Sequence, residues 1–293
     1  MGMKRLMLAA VVAAALSTGA CAAEPLPPAA IYTDPTPVPG HPARMEVLHI
    51  PTAGGLKING VEYVATGEGV HPTLILLHGW PGNEKNLDLA QAVRRAGWNV
   101  VTFNYRGSWG SPGTFSFGGN IEDAKAVLAF VRDPANARTL QADANRLVIA
   151  GHSMGGWITA MTAAQDPGLK GVVLISAADM GLLGTRPLAE RVSASAGNAE
   201  TLAGVTPQSM ADELGQHAAE FSMMKAAQGL AAHPLLVISS DDGLAPQTDA
   251  LVAKVRAEGG TAVATVHIAT DHGYSDKRIA LEAAVIAWLQ GLK

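Results

Sequence analysis

Ser153 stands in Gly151-His152-Ser153-Met154-Gly155, between the apolar run "RLVIA" (146–150) and the helically spaced "GGWITAMTAA" (155–164). A phosphate-binding loop would place a lysine here, and none is present. A sharp strand-to-helix turn would lift the serine side chain above a sheet, with glycines two before and two after relieving the crowding. It would also set Ser153 at the positive end of a helix. The chemistry this suggests is nucleophilic attack, and a serine hydroxyl needs a base to take its proton.

Nine histidines are available. His272, in "ATDHGYSDK" (269–277), follows the last apolar run and precedes the last helical one, so it is the expected base. His267 falls inside that run and is expected to be packed. His41, His49 and His71 lie early in the chain. His152 neighbours the serine, and one step along a tight turn should point it elsewhere. A carboxylate must fix the tautomer of the base and stabilise its charged form. "SSDDGLAP" (239–246) offers Asp241 and Asp242. Asp242, four residues before Pro246, is favoured, with Asp241 in reserve and Asp179 a third option.

Negative charge developing on a substrate oxygen needs fixed donors. The backbone N–H of Met154, just after the nucleophile, is one. The second is expected from Trp80 in His78-Gly79-Trp80-Pro81-Gly82, a glycine-rich turn. His78 reads as a structural brace of that loop, and Tyr105 as a weaker candidate donor.

These residues need a scaffold that gathers them. "RMEVLHI" (44–50) and "LKINGVEYVA" (56–65) alternate like antiparallel strands. Apolar strands are then expected at 73–79, 99–105, 146–151, 171–177, 234–240 and 261–269. Helical spacing falls at 87–98, 121–133, 155–165 and 275–290. Uninterrupted apolar strands alternating with amphipathic helices imply a mostly parallel sheet covered on both faces, an α/β fold. Ligands then bind at the carboxyl ends of the strands, where the candidate residues cluster. The long gap between the strands at 171–177 and 234–240 exceeds a plain crossover, so residues 181–233 are expected to hold a small helical lid.

The chain has 293 residues, 48% of them hydrophobic, which suits one α/β domain over residues 44–293. Residues 1–22 read as an export signal: Lys4 and Arg5, an apolar core from Leu6 to Leu16, then small residues. Cleavage after Ala22 would take the net charge from −4 to about −6. The alternative is a lipoprotein anchored through Cys21, the only cysteine and the only expected route to a membrane. Either way the domain lacks a thiol, which excludes a disulfide scaffold or a cysteine nucleophile. Residues 23–43 form a proline-rich leader, expected to be extended. No dense run of Lys or Arg offers a basic face, so nucleic acid is not an expected partner, and no clustered ligands imply a metal or organic cofactor. The expected partner is a small acyl substrate.

"LLHGWPG", "NYRGSWGSPG", "GHSMGG", "SSDDGLAP" and "DHGYSD" occur in the order and spacing of the α/β-hydrolase superfamily, which the chain resembles from about residue 45 to 293. It looks most like the bacterial dienelactone-hydrolase and prolyl-oligopeptidase-like branches. The resemblance implies an α/β-hydrolase fold and a triad of Ser153, Asp242 and His272, in that family's chain order. It also implies hydrolysis of an ester, thioester, lactone or peptide bond without a cofactor. The chain has no room for a large N-terminal propeller, which favours small esters over peptides. Acyl transfer to an alcohol and a non-catalytic binding role are the other readings. "NYRGSWGSPG" reads as a conformational support beside the site.

Overall fold

A computed structural model describes residues 27–292. Residues 1–22, read above as an export signal, and with them Cys21, lie outside the described residues. Eight strands form one sheet: β1 (Arg44–Pro51), β2 (Lys57–Val64), β3 (His71–Leu77), β4 (Asn99–Phe103), β5 (Ala142–His152), β6 (Gly171–Ile175), β7 (Leu235–Ser239) and β8 (Val263–His267). Their spatial order is β1-β2-β4-β3-β5-β6-β7-β8. β1 and β2 pair antiparallel, as do β2 and β4, while all pairs from β4 to β8 are parallel.

The helices are α1 (Leu87–Arg95), α2 (Phe117–Arg132), α3 (Pro134–Leu140), α4 (Met154–Ala163), α5 (Met180–Gly184), α6 (Leu188–Ala196), α7 (Pro207–Gln216), α8 (Ala227–Leu230), α9 (Ala245–Ala257) and α10 (Arg278–Gly291). None of the described helices is long and apolar enough to cross a membrane.

Continuous apolar strands feed two cores because successive side chains point to opposite faces. Ile75, Leu77, Leu147, Ile149, Val172, Leu174, Leu235 and Val237 join the core under α2, α4 and α9. Their neighbours Leu74, Leu76, Val148, Ala150, Val173, Ile175, Leu236 and Ile238 join the core under α1 and α10. This is why the strands read as uninterrupted runs.

The chain order places the site. From β3 the chain passes outward through α1 to β4, then returns through α2 and α3 to β5 on the other side of β3. The crevice opens where two such crossovers diverge. Leu77 pairs in register with Gly151, so the loop after β3 and the turn after β5 emerge side by side.

The segment 181–233 holds short helices, with α6 and α7 joined by the Arg191 Nε bond to the Ala211 carbonyl (2.9 Å). It is tied to the sheet domain by the Trp157 indole N–H donating to the Phe221 carbonyl (2.6 Å) and the Gly118 N–H donating to Glu213 (3.0 Å). The leader departs from a plain extended spacer. Ala29–Ile31 makes one 3-10 turn, whose Ile31 carbonyl accepts from Arg95 of α1 (3.0 Å).

Further sequence expectations shift. Neither α3 nor α9 was foreseen: Asp133 caps α3 by accepting from Ala135 and Asn136, and Pro134 starts it, while Pro246 stands in the first turn of α9. His267 is not packed, because β8 is the edge strand and its residues alternate between half-buried and exposed.

Candidate active site

Ser153 has φ 59° and ψ −124°, a conformation that costs a non-glycine residue about 1–3 kcal/mol. Four backbone bonds hold it there. Its N–H donates to the Ile175 carbonyl (3.0 Å), and its own carbonyl accepts from Gly156 (2.9 Å), Ala178 (3.1 Å) and Trp157 (3.3 Å). Helix α4 begins at the next residue, so Ser153 sits at a helix N-terminus. Gly155 is required by close approach: a Cβ there would lie 2.5 Å from the carbonyl oxygens of both Leu77 and His78. Gly79 leaves room above Ser153, where a Cβ would lie 3.5 Å from the Ser153 Oγ.

His272 lies on the turn after β8. Its Nδ1 donates to Asp242 Oδ2 at 2.7 Å. The Asp242 side chain is only 4% exposed, against 42% for His272, so the carboxylate is sheltered and the imidazole faces the cleft. Burial alone would raise the Asp242 pKa. Hydrogen bonds from His272, the Leu244 amide and the Ser176 hydroxyl outweigh it and hold the carboxyl below its ordinary value. The His272 turn is pinned by Arg278, which donates to the Gly273 carbonyl (2.9 Å), and by the Tyr274 hydroxyl against Ser176 (2.9 Å).

The reserve acids are employed elsewhere. Asp241 accepts from His267 Nε2 at 3.1 Å. Asp179 caps α5 through Gly181 (2.9 Å) and Leu182 (3.1 Å), and also accepts from Met223 (3.1 Å).

The loop after β3 is fixed carbonyl by carbonyl. The Tyr105 hydroxyl donates to the His78 oxygen (3.1 Å), His78 Nδ1 to the Gly79 oxygen (2.8 Å), and the Trp109 indole N–H to the Pro81 oxygen (2.8 Å). With its flanking carbonyls tied, the peptide N–H of Trp80 has a set direction. The Trp80 indole packs edge-on to Phe117 with 5.1 Å between ring centroids. His78 is the brace the sequence suggested: burial pulls its pKa down to about 4, so its ring is neutral. Tyr105 is committed to that same loop rather than to the cleft. Trp109 is in turn held by the Thr201 carbonyl, which accepts its backbone N–H (3.2 Å), and by Lys85 lying 4.3 Å above its ring.

The loop Gly79–Glu84, His152, Ser153, Asn198 and His272 line one cleft of about 210 Å³. Sequence reasoning missed Asn198, which reaches the cleft from the segment after α6. It also set His152 aside. That ring does not point away from the chemistry: it lies against the His272 ring, with centroids 4.6 Å apart.

Residues 74–288 match the Alpha/beta hydrolase family. The chain belongs to that family. Its eight-stranded, mostly parallel sheet is the one described above. Two uncharacterized proteins of Mycobacterium tuberculosis are each 28% identical over 127 residues, 43% of this chain. That match spans only 43% of their own length. Among solved structures, an esterase of the archaeon Pyrobaculum calidifontis shares the fold at a TM-score of 0.64 and 22% identity, covering 86% of this chain and 88% of its own. An acylaminoacyl peptidase of Pyrococcus horikoshii aligns at a TM-score of 0.64 and 18% identity, covering 85% of this chain and 42% of its own.

Proposed function

We propose that this protein is an exported serine hydrolase that cleaves a small carboxylic ester through an acyl-enzyme on Ser153. The reading rests on one observation above the others. A strained serine at a helix N-terminus and an imidazole held 2.7 Å from a sheltered carboxylate line the same cleft. Ser153 attacks the ester carbonyl while His272 takes its proton. Asp242 keeps the His272 proton on Nδ1 and stabilises the imidazolium. The amides of Met154 and Trp80 receive the oxyanion. His272 then returns the proton to the leaving alcohol, and water repeats the sequence to free the acid. Residues 1–22 direct export, with lipid attachment at Cys21 as the alternative route.

Small, uncharged esters suit the cleft. Its volume is modest, and its lining carries Glu84 but neither Lys nor Arg. The test is a panel of p-nitrophenyl esters of rising chain length, a carboxylate-bearing ester, and aminoacyl p-nitroanilides. The expected result is fastest turnover of short neutral esters, with anilides and the anionic ester well behind. Anilide cleavage matching ester cleavage would replace this reading with a peptidase.

A further inference from the structure

His152 ends β5, immediately before the nucleophile. Its ring is 3% exposed and lies against the ring of His272, tilted 38° with centroids 4.6 Å apart. The Tyr274 ring lies 6.4 Å from it, edge-on. The His152 Nε2 bonds the backbone carbonyl of His272 at 2.8 Å. A carbonyl can only accept, so the proton is on Nε2. Nδ1 is then a buried acceptor with no partner among the described residues.

The geometry points to His152 as a positioning residue for the base, an inference that rests on the hydrolase reading above. It contacts His272 twice, by a hydrogen bond to its backbone and by an aromatic face on its ring. Backbone and ring of the base are thereby registered to the strand that delivers the nucleophile. This matters because Ser153 and His272 come from loops 119 residues apart in sequence. The two loops must hold their spacing while the proton moves. His152 has to stay neutral for this. Burial, foremost, and the neighbouring His272 lower its pKa to about 4, so no second fixed charge opposes the imidazolium that forms beside it.

Three substitutions separate the two contacts. His152→Gln keeps a donor near the Nε2 position and loses the ring. His152→Phe keeps the ring and loses the donor. His152→Ala loses both. The readouts are kcat and KM on a short p-nitrophenyl ester, and the downfield proton resonance of the His272 Nδ1–H bonded to Asp242. Misplacing a catalytic group by 1 Å can cost about 100-fold. His152→Ala is therefore expected to lower kcat by about 100-fold with little change in KM, and to broaden or lose the Nδ1–H resonance. Gln and Phe should each recover part of both. If Ala does not fold, the near-isosteric Gln and Phe variants decide the matter. Wild-type kcat and an unchanged resonance in those two would overturn the proposal. A wild-type enzyme inert toward esters would sink the hydrolase reading instead. The resonance would still report whether His152 holds His272.

Discussion

Two adjacent carboxylates, Asp241 and Asp242, take two different histidines. Asp242 is sheltered and bonds His272, while the Asp241 side chain is 63% exposed and bonds His267 at the sheet edge. Asp242→Asn should therefore leave the geometry in place but favour the wrong His272 tautomer, with kcat falling by about 10⁴. Asp241→Asn should stay within a few-fold of wild type, because a surface pair contributes about 0–1 kcal/mol. Steady-state kinetics of the two variants checks this, and equal losses would contradict it. Much of this scale was legible in the sequence because Ser153, Asp242 and His272 each follow a strand. His152 was not. Adjacency to Ser153 was read as a reason for it to point away. Yet β5 continues through His152, so its side chain faces the α10 side of the sheet, where the His272 turn crosses.

At the scale of elements, the turn after β5 and the loop after β3 must touch, and Gly155 is where they do. Gly155→Ala would drive a methyl against two carbonyl oxygens. Overpacking of this kind costs about 1–3 kcal/mol. The same substitution should also push the Trp80 loop away from Ser153. Thermal melts and kcat measured together check this, and a loss of stability without a loss of kcat would contradict the coupling. Strand and helix positions were readable from apolar runs, but their ends were less so. α2 begins at Phe117, four residues before the expected start, because Gly118 and Gly119 mask its first turn while Ser116 caps it. β8 was read as one more apolar strand, yet Thr265 and His267 stand at alternate positions of its run, both exposed, where the interior strand β6 is apolar throughout; that alternation is the mark of the edge.

Across the whole molecule, buried titratable groups set the pH dependence of stability. His78 and His152 are both held near pKa 4 by burial, from an ordinary 6.5. Unfolding lets each take a proton, so their contribution is full above about pH 6.5 and is lost as pH falls toward 4. Glu62, buried in β2, has the opposite effect. Burial raises its carboxyl from 4.5 to about 8, against smaller opposing contributions from Arg44 and Asn99. The folded state keeps a proton that the unfolded chain releases, so stability falls as pH rises through that window. The melting temperature should peak near pH 6.5, where the two histidines cease to outweigh Glu62. Glu62→Gln should flatten the alkaline side and steepen the acid side, because Glu62 also opposes the two histidines between pH 4.5 and 6.5. A melting temperature that climbs steadily to pH 9 would contradict this balance. None of it was legible from sequence, since burial of Glu62 depends on how β1 and α3 close around β2 and β4.

The central claim is that Ser153 is an activated nucleophile. The most direct measurement is covalent labelling by a fluorophosphonate, with the modified peptide located by mass spectrometry. A single adduct on Ser153, absent from Ser153→Ala and strongly slowed in His272→Ala, is the predicted result. A folded protein that stays unlabelled, or carries its adduct on another serine, would contradict the account.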